Sequence, residues 1–143
     1  MTDDIDIEKI YNHWINTSEK DFVTMINLYK TKDFNWSLFI GQIVLERLLK
    51  ASVVRQTLNH APYTHDLTKL AKLSGLSFSE EQLDLLDTIS TFNMNARYDS
   101  YKLMLRRMSR RNKIFIEKMK QFTTKSHFLR QCKLRDVILW RYS

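Results

Sequence analysis

The sequence predicts an all-α protein, an up-and-down bundle of five to six helices formed by a single domain over residues 1–143. Three observations carry that prediction. Only one proline and two glycines occur in 143 residues, whereas β-sandwiches and phosphate-cradling loops need such residues for their turns. Apolar residues recur at intervals of three and four along most of the chain, the period of an amphipathic helix. The length suffices for a sizeable core without disulfide staples, and the single cysteine, Cys132, allows neither an intrachain disulfide nor a cysteine zinc cage.

A first helix is expected from about Asp6 to Thr31, because Ile7, Tyr11, Trp14, Phe22, Met25 and Tyr29 lie on one stripe. A second should run from Asp33, a good N-cap residue, to about Asn59. Its apolar residues Trp36, Phe39, Ile40, Ile43, Val44, Leu48, Leu49 and Ala51 cover most of its circumference, which makes it the central element. Glu46, Arg47 and Lys50 interrupt that coverage together. The favoured reading places them along a narrow solvent strip, since buried carboxylates are rare; the alternative is a partly buried Glu46 with a cationic partner. Pro62 ends the region by pushing Ala61 out of helical geometry.

Thr64 is expected to N-cap a short third helix, with His65 and Asp66 in its first turn and Gly75 as a left-handed terminator followed by Leu76. His65 faces either solvent or a site. Ser79 and Gln82 have the spacing of a capping box and open a fourth helix, through Leu83, Leu86, Ile89, Phe92 and Ala96 to Arg97. Asp84 and Asp87 read as solvated surface carboxylates. The stripe Tyr101, Met104, Met108, Phe115, Met119 and Phe122 implies a fifth helix, and Leu129, Cys132, Val137 and Trp140 a weakly patterned sixth. Trp14, Trp36, Phe39, Ile43, Leu48, Leu86, Ile89 and Phe92 should share one core.

The chain changes character at Arg97-Tyr98-Asp99-Ser100-Tyr101-Lys102. Residues 1–100 hold 10 Lys+Arg against 14 Asp+Glu, and residues 101–143 hold 13 against 2. Lys102, Arg106, Arg110, Lys113 and Lys120 return to one face of the predicted fifth helix, so the charge converges into a strip. Such asymmetry points to a polyanionic partner such as RNA, a nucleotide or an acidic protein. The acidic N-terminus lacks the basic-then-apolar pattern of a signal peptide, and no apolar run approaches the ~20 residues of a membrane span. A cytoplasmic protein without membrane association is therefore expected. No glycine loop, nucleophile motif or metal-spaced cluster occurs, so neither a cofactor nor a metal site is predicted.

The run Glu46-Arg47-Leu48-Leu49-Lys50-Ala51 in the second helix, Thr64-His65-Asp66-Leu67 with Leu70 after a loop, Ala96-Arg97-Tyr98-Asp99, and the late Trp140 together resemble the HEPN domain. The resemblance extends from about Trp14 to Trp140. It implies a helical bundle, usually a homodimer, often paired with a minimal nucleotidyltransferase, and in many members a metal-independent ribonuclease or toxin. Catalytic members carry an arginine followed four to six residues later by a histidine. Arg97 matches the arginine, but Tyr101, Lys102, Leu103 and Met104 follow it, and the next histidine is His127. An ordinary lysine, with a pKa near ~10.4, is a poor base at neutral pH where imidazole is a good one.

The expected function is accordingly the binding of a nucleotide or RNA through a basic site centred on Arg97, with His65, Asp99, Lys102 and Arg106 as further candidates. In that reading the protein is an accessory partner of a nucleotidyltransferase or of a toxin–antitoxin-type system and lacks efficient catalysis. The alternatives are a ribonuclease toxin using Arg97 and His65, and a purely structural partner subunit. His65, Arg97, Asp99 and Lys102 should share one concave region.

Overall fold

The computed structural model describes residues 5–91. Among them the chain is helical without strands: α1 (Ile7–Lys30), α2 (Phe34–Thr57), α3 (Leu67–Leu73) and α4 (Glu80–Ser90). The predicted fifth and sixth helices, and the continuation of α4 to Arg97, lie outside the described residues.

Asp6 starts α1, its carboxylate accepting from the Lys9 N–H at 3.0 Å. The helix ends in a paired hydrogen-bond cap in which Lys32 N–H donates to Tyr29 O and Asp33 N–H to Leu28 O. That geometry requires a left-handed residue, and Lys32 supplies it at φ +65°. The chain therefore reverses within three residues, and α2 returns antiparallel to α1. The pairs across the hairpin record this: Ser37 Oγ donates to Met25 O, Arg47 pairs with Asp21 at 2.7 Å, and Arg55 reaches Glu8 at 3.8 Å. Asp33 occupies the N-cap position of α2 without capping it; its carboxylate accepts from the Thr31 hydroxyl instead.

α2 is the central element, as its all-round apolar pattern predicts. Leu38, Val44, Leu45, Leu49, Ala51, Val53 and Val54 are buried on it, with Tyr11 and Met25 of α1, Leu67, Leu70 and Ala71 of α3, and Leu86 and Ile89 of α4 completing the core. Trp14 and Leu48 are half-buried and pack against it, while Phe39 and Ile43 are half-buried without joining it. Trp36 departs from expectation: 45 % of it is exposed, packed edge-on against Phe39 in the first turns of α2. Ser37 and Leu38 take the inward positions there, so the indole one residue earlier is turned out. Phe92 lies outside the described residues.

Leu58, left-handed at φ +54°, ends α2. The third helix begins two residues later than predicted. Its N-cap is Asp66, which accepts from Lys69 N–H at 3.1 Å, while the Thr64 hydroxyl accepts from Asp66 N–H one step earlier. His65 and Asp66 thus precede the helix. Leu67 N–H, which a Thr64 cap would have engaged, instead donates to Ser90 Oγ of α4 at 3.0 Å. Gly75, at φ +72°, follows the end of α3 as expected, and Leu76 packs against the core. The capping box opening α4 is complete, with Ser79 Oγ accepting from Gln82 N–H and Gln82 Oε1 from Ser79 N–H. Asp84 and Asp87 are exposed on its outer face.

Candidate functional site

Gln42, Glu46 and Lys50 are spaced four residues apart on α2, which stacks them along one side of the helix. That side does not reach solvent. Glu46 is 7 % exposed and Lys50 6 %, so the solvent-strip expectation fails for these two residues. Arg47 points elsewhere and pairs with Asp21. What holds a carboxylate inside is a full set of donors. Glu46 Oε1 accepts from Lys50 Nζ at 2.9 Å, and Oε2 accepts from Gln42 Nε2 at 3.1 Å and lies 2.9 Å from His65 Nδ1. Burial acts to raise the pKa of this carboxyl. The hydrogen bonds from Lys50, His65 and Gln42, with the charge of Lys50, outweigh it and hold the group below its ordinary value of 4.5.

The ammonium of Lys50 is enclosed on its other sides by rings. Its Nζ lies 5.2 Å from the Trp14 ring centroid and 6.0 Å from that of Tyr63, distances at which the π faces attract a cation. Gln42 also reaches the His65 carbonyl, at 3.4 Å, so α2 holds both the backbone and the ring of His65.

His65 is the point where this buried network meets the surface. Its side chain is 60 % exposed, against 10 % for Glu46. It stands on the connection between α2 and α3, pinned by the Thr64 N–H to Pro62 O bond behind it and the Asp66 cap ahead. Tyr63, 98 % exposed, is tilted beside it with ring centroids 6.2 Å apart. An ionised carboxylate can only accept, so the ring nitrogen facing Glu46 carries the proton. When the imidazole is neutral, Nε2 is then its free acceptor; when it is protonated, both nitrogens donate. A buried acid thus selects the tautomer and fixes the ring plane of an exposed histidine, an arrangement suited to binding a phosphate or moving a proton.

Of the residues singled out from the sequence, His65 is therefore part of a built constellation. Arg97, Asp99, Lys102 and Arg106 lie outside the described residues, and the expectation that they share one concave region with His65 lies outside them too. Sequence reasoning missed Glu46, Gln42, Lys50 and Tyr63 as its supports. The signal was present in the four-residue spacing of Gln42, Glu46 and Lys50, which stacks three polar side chains along one side of α2. Among the described residues no three His, Cys, Asp or Glu side chains converge as metal donors, and no helix is long and apolar enough to cross a membrane.

The family model for the HEPN domain matches residues 11–125, from the first turns of α1 through α2, α3 and α4 into the cationic segment. No curated protein and no solved structure matches the chain. The match spans well over half of the sequence and includes every motif on which the resemblance rested except Trp140, and the chain belongs to the HEPN domain family.

Proposed function

We propose that this HEPN chain binds the phosphates of an RNA or a nucleotide at a basic site that joins His65 to Arg97, Lys102 and Arg106. Asp99, two residues after Arg97 in the sequence, is the remaining candidate of that site. In this reading the protein is a homodimeric accessory partner of a nucleotidyltransferase or of a toxin–antitoxin-type system, without efficient catalysis of its own. The observation that supports it is the 2.9 Å contact between His65 Nδ1 and the buried Glu46 carboxylate. The contact satisfies the buried acid and also fixes the ring plane and tautomer of an exposed histidine, which leaves Nε2 available to a ligand. The concentration of 13 Lys+Arg against 2 Asp+Glu in residues 101–143 supplies the matching electrostatics.

The same contact favours a second reading, metal-independent cleavage of RNA. A histidine whose Nδ1 proton is engaged presents Nε2 as a general base toward a 2′-hydroxyl, and Arg97 would then stabilise the charge gathering on the phosphate. His65 would take the place of the histidine that does not follow Arg97.

A fluorescence-anisotropy titration with a short RNA, alongside a cleavage assay without metal, separates the readings. For the binding protein, Arg97→Ala and His65→Ala each weaken binding by about tenfold or more, Lys120→Ala does less, and the RNA stays intact. Cleavage by the wild type that disappears in both variants establishes the ribonuclease. Equal, negligible binding by wild type and variants at low salt leaves a structural subunit.

A further inference from the structure

Lys9, Ile10, His13 and Trp14 form two pairs one helical turn apart, side by side on the N-terminal half of α1. The left-handed Leu58 ends α2 opposite this face, and the chain that follows brings His60 and Ala61 against it. Among the described residues these six line a solvent-open cleft of about 370 Å³, large enough for a small molecule. Its location differs from that of the His65 network, with which it shares only Trp14.

The polar side chains of the lining, Lys9, His13 and His60, all offer N–H donors, and no carboxylate accompanies them among the described residues. None of the three has a side-chain hydrogen bond or ion pair among the described residues. Of the nearest acids in sequence, Glu8 pairs with Arg55, and Asp6 accepts from the Lys9 backbone N–H as the cap of α1. The rest of the lining is apolar. Ile10 and Ala61 contribute aliphatic surface, and because Trp14 Nε1 is enclosed without accessible surface, the indole meets the cleft with carbon.

Three donors around an apolar wall select for a ligand with an anionic head and a flat, apolar body. An oxyanion accepts from imidazole N–H and ammonium together, and an aromatic ring gains by covering indole and aliphatic carbon. We propose that this cleft is a binding site for a small aromatic oxyanion, a carboxylate or monophosphate carried on a ring.

The test uses the full-length chain and nuclear magnetic resonance titrations with phenyl phosphate, benzoate, inorganic phosphate and benzyl alcohol, following the imidazole signals of His13 and His60 and the Trp14 indole. Phenyl phosphate and benzoate share the ring and differ in the head, so their comparison distinguishes the two sources of the oxyanion. Either should shift these three side chains at millimolar concentration or below. Inorganic phosphate, lacking the body, and benzyl alcohol, lacking the charge, should bind at least about tenfold more weakly. His60→Ala, in a surface connection, and the exposed His13→Ala should each weaken binding several-fold, while Lys30→Ala at the far end of α1 changes nothing. Inorganic phosphate binding as tightly as phenyl phosphate, shifts centred elsewhere, or full binding by the two histidine variants would overturn the proposal.

Discussion

Glu46 lies on the innermost helix with two oxygens and three donors, and its energetic role follows from what surrounds Lys50. That ammonium has one carboxylate partner at 2.9 Å and two aromatic rings, and 7 % of its side chain meets solvent. Removing the charge of Glu46 leaves a cation enclosed without its counterion, the situation in which breaking a buried pair costs most. Glu46→Gln should therefore destabilise the fold by about 3 kcal/mol or more in urea denaturation. Asp21→Ala, which breaks the more exposed pair with Arg47 at 33 % and 24 % side-chain exposure, should cost under about 1 kcal/mol. Equal losses would mean that Lys50 finds other compensation. The same carboxylate makes stability pH-dependent. Its folded pKa is depressed below 4.5, so the folded state keeps the charge where the unfolded chain would take a proton. The resulting stabilisation is complete above the unfolded value and is lost as pH falls through the folded one. The urea midpoint of the wild type should thus fall more steeply than that of Glu46→Gln below about pH 4.5, the two converging at the acid end.

At the scale of elements, the ends of helices decide how much of this fold could be read in advance. The start of α4 is written in four consecutive residues, and both bonds of the Ser79–Gln82 box form as the spacing predicts. The end of α3 is equally local, because Gly75 takes the left-handed geometry it alone adopts without strain. The start of α3 is different. Thr64 and Asp66 are both competent caps, and the choice between them rests on partners distant in sequence: Glu46, which holds the His65 ring, and Ser90, which takes the Leu67 N–H. The burial of Glu46 was hidden for the same reason, since its third donor arrives from 19 residues away. Trp36 misled because a stripe of apolar residues does not reveal which of two adjacent positions faces in. The end of α1 carries no glycine at all, and Lys32 occupies the left-handed cap position at φ +65°. A side chain there is strained by roughly 1 kcal/mol relative to glycine, a cost only partly offset by glycine's greater freedom in the unfolded chain. Lys32→Gly should accordingly stabilise the protein by about 0.5 kcal/mol, read as a higher urea midpoint. A lower midpoint would show that the hairpin relies on the lysine side chain.

The whole molecule divides its charge sharply, with acid in excess through residue 100 and 13 Lys+Arg against 2 Asp+Glu thereafter. In the proposed function the C-terminal third attracts the polyanion while the helical core contributes shape and an oriented imidazole. Counterion release then provides a measurement that separates general attraction from a defined site. Each phosphate neutralised on single-stranded RNA contributes about −0.7 to the slope of log affinity against log salt concentration. If Arg97, Lys102 and Arg106 each hold one phosphate, wild-type RNA binding should show a slope of about −2 or steeper, and alanine at any one of them should make it shallower by about 0.7. Arg97→Ala should in addition lose more affinity than Lys102→Ala at fixed salt, because a guanidinium makes a bidentate contact that an ammonium cannot. A slope that all three variants leave unchanged would place the phosphate contacts on other cations of the segment, such as Arg110, Lys113 and Lys120. It would also separate His65 and its buried carboxylate from the charge that attracts the ligand.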